Sequence, residues 1–320
     1  MELLKTVDKK ETTRSGIIGH AIGDAMGVPL EGVGRGQLAL HPVNEMRGHG
    51  VYNKPIGTWS DDTSMTIATV QPLIKKKRFD YGDIMENFSQ WWKNNKFTAT
   101  GKTFVGDSTC VKAIDNLRFR KNPLECGVDE EHSDGNGALM RILPVAYVCH
   151  GDAITGCDRY ELVRKVSYLT HRNETSVLAC MIYVNIVCYL IDGFTPVVAY
   201  QKAKQDDYSI FSRVTVEKFY RILEDDISDC DEKDISSDFY APNNLEASLW
   251  CLLTTKNYKE AVLKAVNLGY NAATIGAITG AMAGLAYGYD SIPFEWRERL
   301  QRRDYLLELC DRFADTKIEA

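Results

Sequence analysis

The sequence predicts an all-α protein, and three observations carry that prediction. Apolar residues recur at spacings of three and four along most of the chain, whereas runs of period two are hard to find. Thirteen segments fit helices: 11–27, 61–76, 80–94, 108–118, 136–149, 159–170, 174–191, 195–204, 214–224, 244–254, 257–268, 274–288 and 294–313. Small residues stand inside several of them, as in Gly276-Ala277-Ile278-Thr279-Gly280-Ala281-Met282-Ala283-Gly284, a spacing that lets helices approach closely. No internal repeat and no composition shift marks a boundary, so residues 1–320 read as one domain with a sizeable core.

In the first segment, Gly19, Gly23 and Gly27 fall at spacing four on one helix face, suited to close packing or to a ligand's approach. Pro29 should end that helix near Gly27, leaving Glu31 on a loop where its carboxylate could reach a ligand. The second segment opens with Gly57-Thr58-Trp59-Ser60-Asp61-Asp62-Thr63-Ser64-Met65. Ser60 is a good N-cap, and Asp61 and Asp62 suit the positive end of the helix dipole. The same oxygens also suit a hard divalent ion such as Mg2+ or Mn2+, and the sequence leaves both readings open. The run Lys75-Lys76-Lys77-Arg78 reads as a solvated helix end.

Ahead of the segment at 136–149 lies Ser133-Asp134-Gly135-Asn136-Gly137-Ala138-Leu139-Met140-Arg141. The glycines free the backbone to wrap around a ligand, and Ser133 or Asn136 can cap a helix whose N-terminus would receive an anion such as a pyrophosphate. A capped turn is the plain alternative. His171, after Thr170, is either a satisfied structural histidine or a site residue. The most apolar stretch, 177–191, is interrupted by Asn185 and reads as a buried helix, with no membrane span. The acidic stretch 225–244 reads as a surface loop. Near the end, Asn267-Leu268-Gly269-Tyr270-Asn271-Ala272-Ala273-Thr274 leads into the glycine-rich helix, with Thr274 as a helix-start hydroxyl.

Bulk properties exclude some classes. A net charge of −6 argues against nucleic acid as the main partner. Nine widely spaced cysteines with no CxxC form neither a disulfide framework nor a zinc motif, and suit a reducing cytoplasm. The N-terminal residues lack the apolar core of a signal peptide.

Taken together and in order, GHAIGDAMGVPLEG, GTWSDDTSM, DGNGALMRILPVA, Thr170-His171-Arg172, LEASLW and NLG…TIGAITGAMAGLAYG resemble the ADP-ribosylglycohydrolase family over about Gly16 to Tyr289. The resemblance implies a single compact, orthogonal multi-helix domain with a cleft for two Mg2+ or Mn2+ ions. It also implies hydrolysis of the N- or O-glycosidic bond of ADP-ribose on a modified protein, arginine foremost. The partner it implies is therefore ADP-ribose or an ADP-ribosylated protein. Ser60, Asp61 and Asp62 match the first metal motif. The second, Gly-Asp-x-Asp-Thr in the family, corresponds to Tyr270, Asn271, Ala272, Ala273 and Thr274. Thr274 alone remains as a standard ligand, with Asn271 as a neutral donor. Where the family places a candidate base in Phe-Asp-(Ile/Val)-Gly, this chain has Phe104-Val105-Gly106-Asp107, and Asp107 is the nearest carboxylate. A family Gly-Tyr appears as Asp238-Phe239.

The roles implied are Asp61, Asp62 and Asp107 in catalysis and Ser60, Asp61, Asp62, Asn271 and Thr274 on metal. Glu31, Ser133, Gly135, Asn136, Gly137 and His171 are implied on substrate. Two of the four carboxylates that offset two divalent ions are neutral here, whether by nature or by engineering. One ion or none is therefore expected, with impaired hydrolysis. The alternatives are an ADP-ribose-binding protein without turnover and a structural protein that reuses the fold.

Overall fold

A computed structural model describes residues 8–150 and 156–319. The helices, in chain order, are α1 (Lys9–Gly27), α2 (Arg35–Leu40), α3 (Asp61–Lys76), α4 (Tyr81–Asn94), α5 (Ser108–Asn116) and α6 (Leu143–Cys149). They continue with α7 (Gly156–Tyr168), α8 (Glu174–Ile191), α9 (Pro196–Lys204), α10 (Arg213–Glu217) and α11 (Tyr220–Leu223). The last are α12 (Ala241–Leu253), α13 (Tyr258–Asn267), α14 (Ala272–Tyr287), α15 (Phe294–Arg299) and α16 (Arg303–Ala314). Only isolated β-bridges join extended segments among the described residues.

The centre of the fold is the crossing of α1 on α14. A Cβ on Gly19 would lie 2.4 Å from the Gly280 carbonyl oxygen, one on Gly23 1.9 Å from that of Gly276, and one on Gly27 2.2 Å from that of Ala272. From the other side, a Cβ on Gly284 would lie 2.0 Å from the Ser15 oxygen. Each step of four on α1 matches a step of four backwards on α14, so the two helices run antiparallel in backbone contact. That contact sets the C-terminal end of α1 beside the N-terminal end of α14. Around this pair, α8 buries nearly its whole circumference. Its 18 residues have the length and mean hydropathy (1.7) of a membrane span, but 89% of the window is buried inside the protein, as a core helix requires.

Several segments differ from the sequence expectation. The segment at 136–149 is a short 3-10 turn over Leu139–Arg141 followed by α6, because Pro144 lacks an N–H and starts a helix instead of continuing one. The segment at 294–313 breaks at Arg302, in left-handed backbone, where the Gln301 N–H donates to the Gly57 carbonyl. The segment at 214–224 divides into α10 and α11, α2 was not anticipated, and α12 starts at Ala241 rather than 244. The basic run Lys75–Arg78 is exposed at the end of α3, where Lys77 closes the helix in left-handed conformation.

Candidate active site

The α3 N-terminus and the α14 N-terminus face one another across a cleft of about 740 Å³. Its walls include Glu31, Ser60, Asp61, Asp62, Asp107, Gly135, Asn136, Asn271 and Thr274. Tyr52, Asp134, Phe239 and Ala273 also line it.

The α3 wall is fixed from below by α1. Asp24, fully buried, accepts hydrogen bonds from the Ser60 N–H (3.0 and 2.9 Å), the Thr63 N–H (3.1 Å) and the Thr63 hydroxyl (2.7 Å). It thus satisfies backbone donors that the first turn of a helix leaves open. Ser60 caps α3, accepting weakly from the Asp62 N–H (3.4 Å), and its hydroxyl donates to Asp62 Oδ2 (2.9 Å). Asp62 Oδ1 is buried with no hydrogen-bond partner. Asp61 Oδ2 accepts from the Asp107 N–H (3.0 Å). The Asp107 carboxylate in turn caps α5 through the Cys110 N–H (2.7 Å).

Glu31 reaches the opposite wall. Because α1 ends beside the start of α14, Glu31 Oε2 accepts the Ala273 N–H (3.1 Å) at that helix N-terminus. Burial pushes the Glu31 carboxyl up to about 8, against the pull of the Ala273 N–H. Burial likewise raises Asp24 to about 7 and Asp61 to about 6, and Asp62 well above the usual carboxylate range. Among the described residues no Lys or Arg forms an ion pair with any of the four. The Tyr52 phenol beside them is pushed up to about 12, first by burial and then by these acids. Three buried carboxylates and the half-buried Glu31, without a protein cation among the described residues and one of them with an orphaned oxygen, form an oxygen-only donor set suited to a hard divalent ion.

The α14 wall is neutral. The Asn271 and Asn136 amides both donate to Asn244 Oδ1, at 2.7 and 3.0 Å. Asn244 is anchored by its own amide on the carbonyls of Asp238 and Tyr240. Ala273 contributes its backbone N–H alone, and Thr274 is among the residues that line the cleft.

Three expected substrate residues stand behind the cleft instead of lining it. The Ser133 hydroxyl donates to the Glu130 carbonyl (2.7 Å) and folds its own turn. Gly137 lies under Asp107 and His171, where a Cβ would come within 2.7 Å of both. His171 is fully buried, with Nδ1 on the Thr170 hydroxyl (2.9 Å), and burial lowers its imidazole to about 4. Expected on substrate, these three stand one layer behind the lining, and Gly135 and Asn136 are the residues that their turn delivers to the cleft. Sequence reasoning missed Asp24, Tyr52 and Asn244 as parts of the site. Asp24 carried a signal, since a carboxylate inside a helix of small and apolar residues needs a buried partner.

Comparison with known proteins agrees with this fold. A family model described as ADP-ribosylglycohydrolase matches residues 5–319. The chain is 28% identical over 318 residues to the ADP-ribosylarginine hydrolase Tri1 of Serratia proteamaculans, covering 97% of this chain and 80% of that protein. It is also 28% identical to the ADP-ribosyl-[dinitrogen reductase] glycohydrolase of Rhodospirillum rubrum, covering 89% of each. A solved structure titled ADP-ribosylglycohydrolase-related protein complex superposes with a TM-score of 0.81 at 25% identity, over 97% of this chain and 99% of that one. The chain therefore belongs to the ADP-ribosylglycohydrolase family.

Proposed function

We propose that this protein cleaves the glycosidic bond between ADP-ribose and a modified protein side chain, arginine foremost, with one Mg2+ or Mn2+ ion and reduced efficiency. The observation that carries the reading is the orphaned Asp62 Oδ1 within a cluster of four carboxylates that no Lys or Arg among the described residues offsets. Ser60, Asp61 and Asp62 would hold the ion with Thr274, and Asn271 is the residual neutral donor. A bound divalent ion supplies charge compensation and polarises an oxygen for attack at the anomeric carbon.

The chain's own residues do the rest. Asp24 holds the α3 N-terminus rigid under Asp61 and Asp62. Glu31, raised to about 8, can carry or accept a proton at Oε1 near neutral pH while Oε2 stays on the Ala273 N–H. Asp107 lines the cleft as the candidate base, and Gly135 and Asn136 offer backbone and amide contacts to the substrate. Val105 brings no ionisable group to the register of the family's Asp. The reduced efficiency follows from the α14 wall, where Asn271 and Ala273 bring no charge against a second ion. The nine cysteines suit action in the reducing cytoplasm.

Release of ADP-ribose from an arginine-modified protein, with Mg2+ or Mn2+ against chelator, tests the reading. Metal-dependent release supports it, and none under any metal overturns it. That same neutral wall favours a second reading, an ADP-ribose-binding protein without turnover. Calorimetry showing ADP-ribose binding in a protein that releases nothing would select it.

A further inference from the structure

Behind the cleft wall, the fold assembles donors of a different chemistry. Asp107, at the N-cap of α5, and Cys110, one turn into it, meet His171 from the turn after α7. One carboxylate oxygen, the thiol sulfur and one ring nitrogen all lie within 4.8 Å of one another. His171 Nε2 is 3.8 Å from Asp107 Oδ1, fully buried and without a hydrogen-bond partner. The other ring nitrogen sits on the Thr170 hydroxyl, the kind of outer contact that fixes a ligand histidine's tautomer. The Cys110 thiol rests on the Gly137 carbonyl at a weak 3.5 Å. Gly137 keeps the space open, since any Cβ there would stand 2.7 Å from Asp107 Oδ1 and from His171 Cε1.

We propose that Asp107, Cys110 and His171 form a binding site for a borderline-soft divalent transition ion of the Zn2+ class, separate in chemistry from the oxygen-only site at Ser60, Asp61 and Asp62. Sulfur and imidazole donors select Zn2+ over Mg2+. Tetrahedral zinc sets such donors about 3.5 Å apart, so closure needs about 1 Å of movement. With a thiolate, a carboxylate and a neutral imidazole the bound site is neutral overall. Burial and then Asp107 push the Cys110 thiol well above its ordinary value, against the pull of Arg141, buried nearby with Nε and Nη1 unpaired, so the thiol gives up its proton to solvent as the ion binds. Asp107 lines the cleft, which gives the ion a path in and leaves a fourth position toward solvent. The Asp107 N–H on Asp61 joins the two sites, so Zn2+ here should inhibit any Mg2+-dependent turnover. The widely spaced cysteines carry no zinc motif in sequence; this set exists only in the fold.

The test uses the full chain, stripped with chelator and held in excess Mg2+, titrated with Zn2+ by calorimetry and with Co2+ by absorption. One tight equivalent is expected, with a thiolate-to-cobalt charge-transfer band. Cys110→Ser should remove the band and weaken Zn2+ more than about 100-fold, beyond the usual loss for an outer-shell partner. Cys230→Ser, at a half-buried thiol elsewhere, should change neither. Asp107→Asn keeps an oxygen to cap α5, so it should fold even if Cys110→Ser does not, and it should weaken Zn2+ at least about tenfold. Absence of the tight equivalent, a band that survives Cys110→Ser, or undiminished affinity in Asp107→Asn would each overturn the assignment. Because no readout uses hydrolysis, failure here leaves the proposed function standing, and the reverse.

Discussion

The two walls of the cleft are both helix N-termini, yet they are built by opposite means. The α3 wall concentrates charge: Asp61 and Asp62 at its tip, Asp24 beneath them and Glu31 opposite, all raised by burial. The α14 wall carries amides, with Asn271 and Asn136 converging on Asn244 Oδ1. Both are positioned by the same helix, since α1 supplies Asp24 to one and leads through its C-terminal end to Glu31 at the other. The contrast shows that a scaffold can stay intact while its electrostatics change on one side only. Amides satisfy one another without an ion, whereas unpaired carboxylates do not.

The comparison breaks most sharply if the charged wall is neutralised. Asp62→Ala should lower ADP-ribose release about 10²- to 10³-fold, the scale of losing one preorganised electrostatic contact. Calorimetry should show the loss of Mn2+ binding in parallel. Retained metal binding would remove Asp62 from the ion site.

Next in size is the support beneath that wall. Asp24→Ala leaves the Ser60 N–H, the Thr63 N–H and the Thr63 hydroxyl buried without an acceptor. At about 1–3 kcal/mol for each unsatisfied group, partly recovered by relaxation, the expected loss of unfolding free energy is about 3 kcal/mol. Urea denaturation measures it, and a loss under about 1 kcal/mol would show that α3 does not depend on α1 for its cap.

The neutral wall can be sharpened in the other direction. Asn271→Asp with Ala273→Asp adds two carboxylates opposite a cluster that already holds four. Without metal the double variant should melt at lower temperature than the parent, through like-charge repulsion. With Mn2+ it should gain at least about tenfold in affinity, or about 1.4 kcal/mol. A thermal shift series against Mn2+ concentration separates the two effects. No gain in affinity would mean that the Asn136–Asn244–Asn271 network, and not missing charge, closes this half of the site.

Much of this was legible in the sequence, and the remainder has a common cause. The α1 and α14 helices, the Ser60 cap, and Asp61 and Asp62 follow from local spacing and capping chemistry. What spacing could not supply was pairing across the chain. That Asp24 meets Ser60 depends on where α1 lies against α3. That Glu31 meets Ala273 depends on glycine contacts between residues more than two hundred positions apart. His171 and Gly137 matched site motifs by sequence but serve one layer deeper. Motif identity does not distinguish a residue that lines a cavity from one that supports the lining. The break at Arg302 and the start of α6 at Leu143, with Pro144 in its first turn, were missed for the local reason that a continuous apolar period hides a change of helix axis.

The smallest effect tests the charge contrast through pH. In the metal-free protein Asp24 and Glu31 have folded values of about 7 and about 8, above their ordinary 3.8 and 4.5. The folded state thus binds more protons than the unfolded one between those limits. The stability these groups contribute is present at low pH and lost as pH rises through 7 and 8. His20 and His171, lowered by burial to about 4 from 6.5, act in the opposite sense, an effect that fades above pH 6.5 as the unfolded imidazoles lose their protons. Between pH 6.5 and 8 the carboxylates outweigh the histidines, so in chelator the unfolding free energy should fall by about 1 kcal/mol per pH unit. Saturating Mn2+ should flatten that slope, because an ion that favours the ionised carboxylates removes the excess proton binding of the folded state. A slope that is the same with and without Mn2+ would mean that the ion does not sit among these carboxylates.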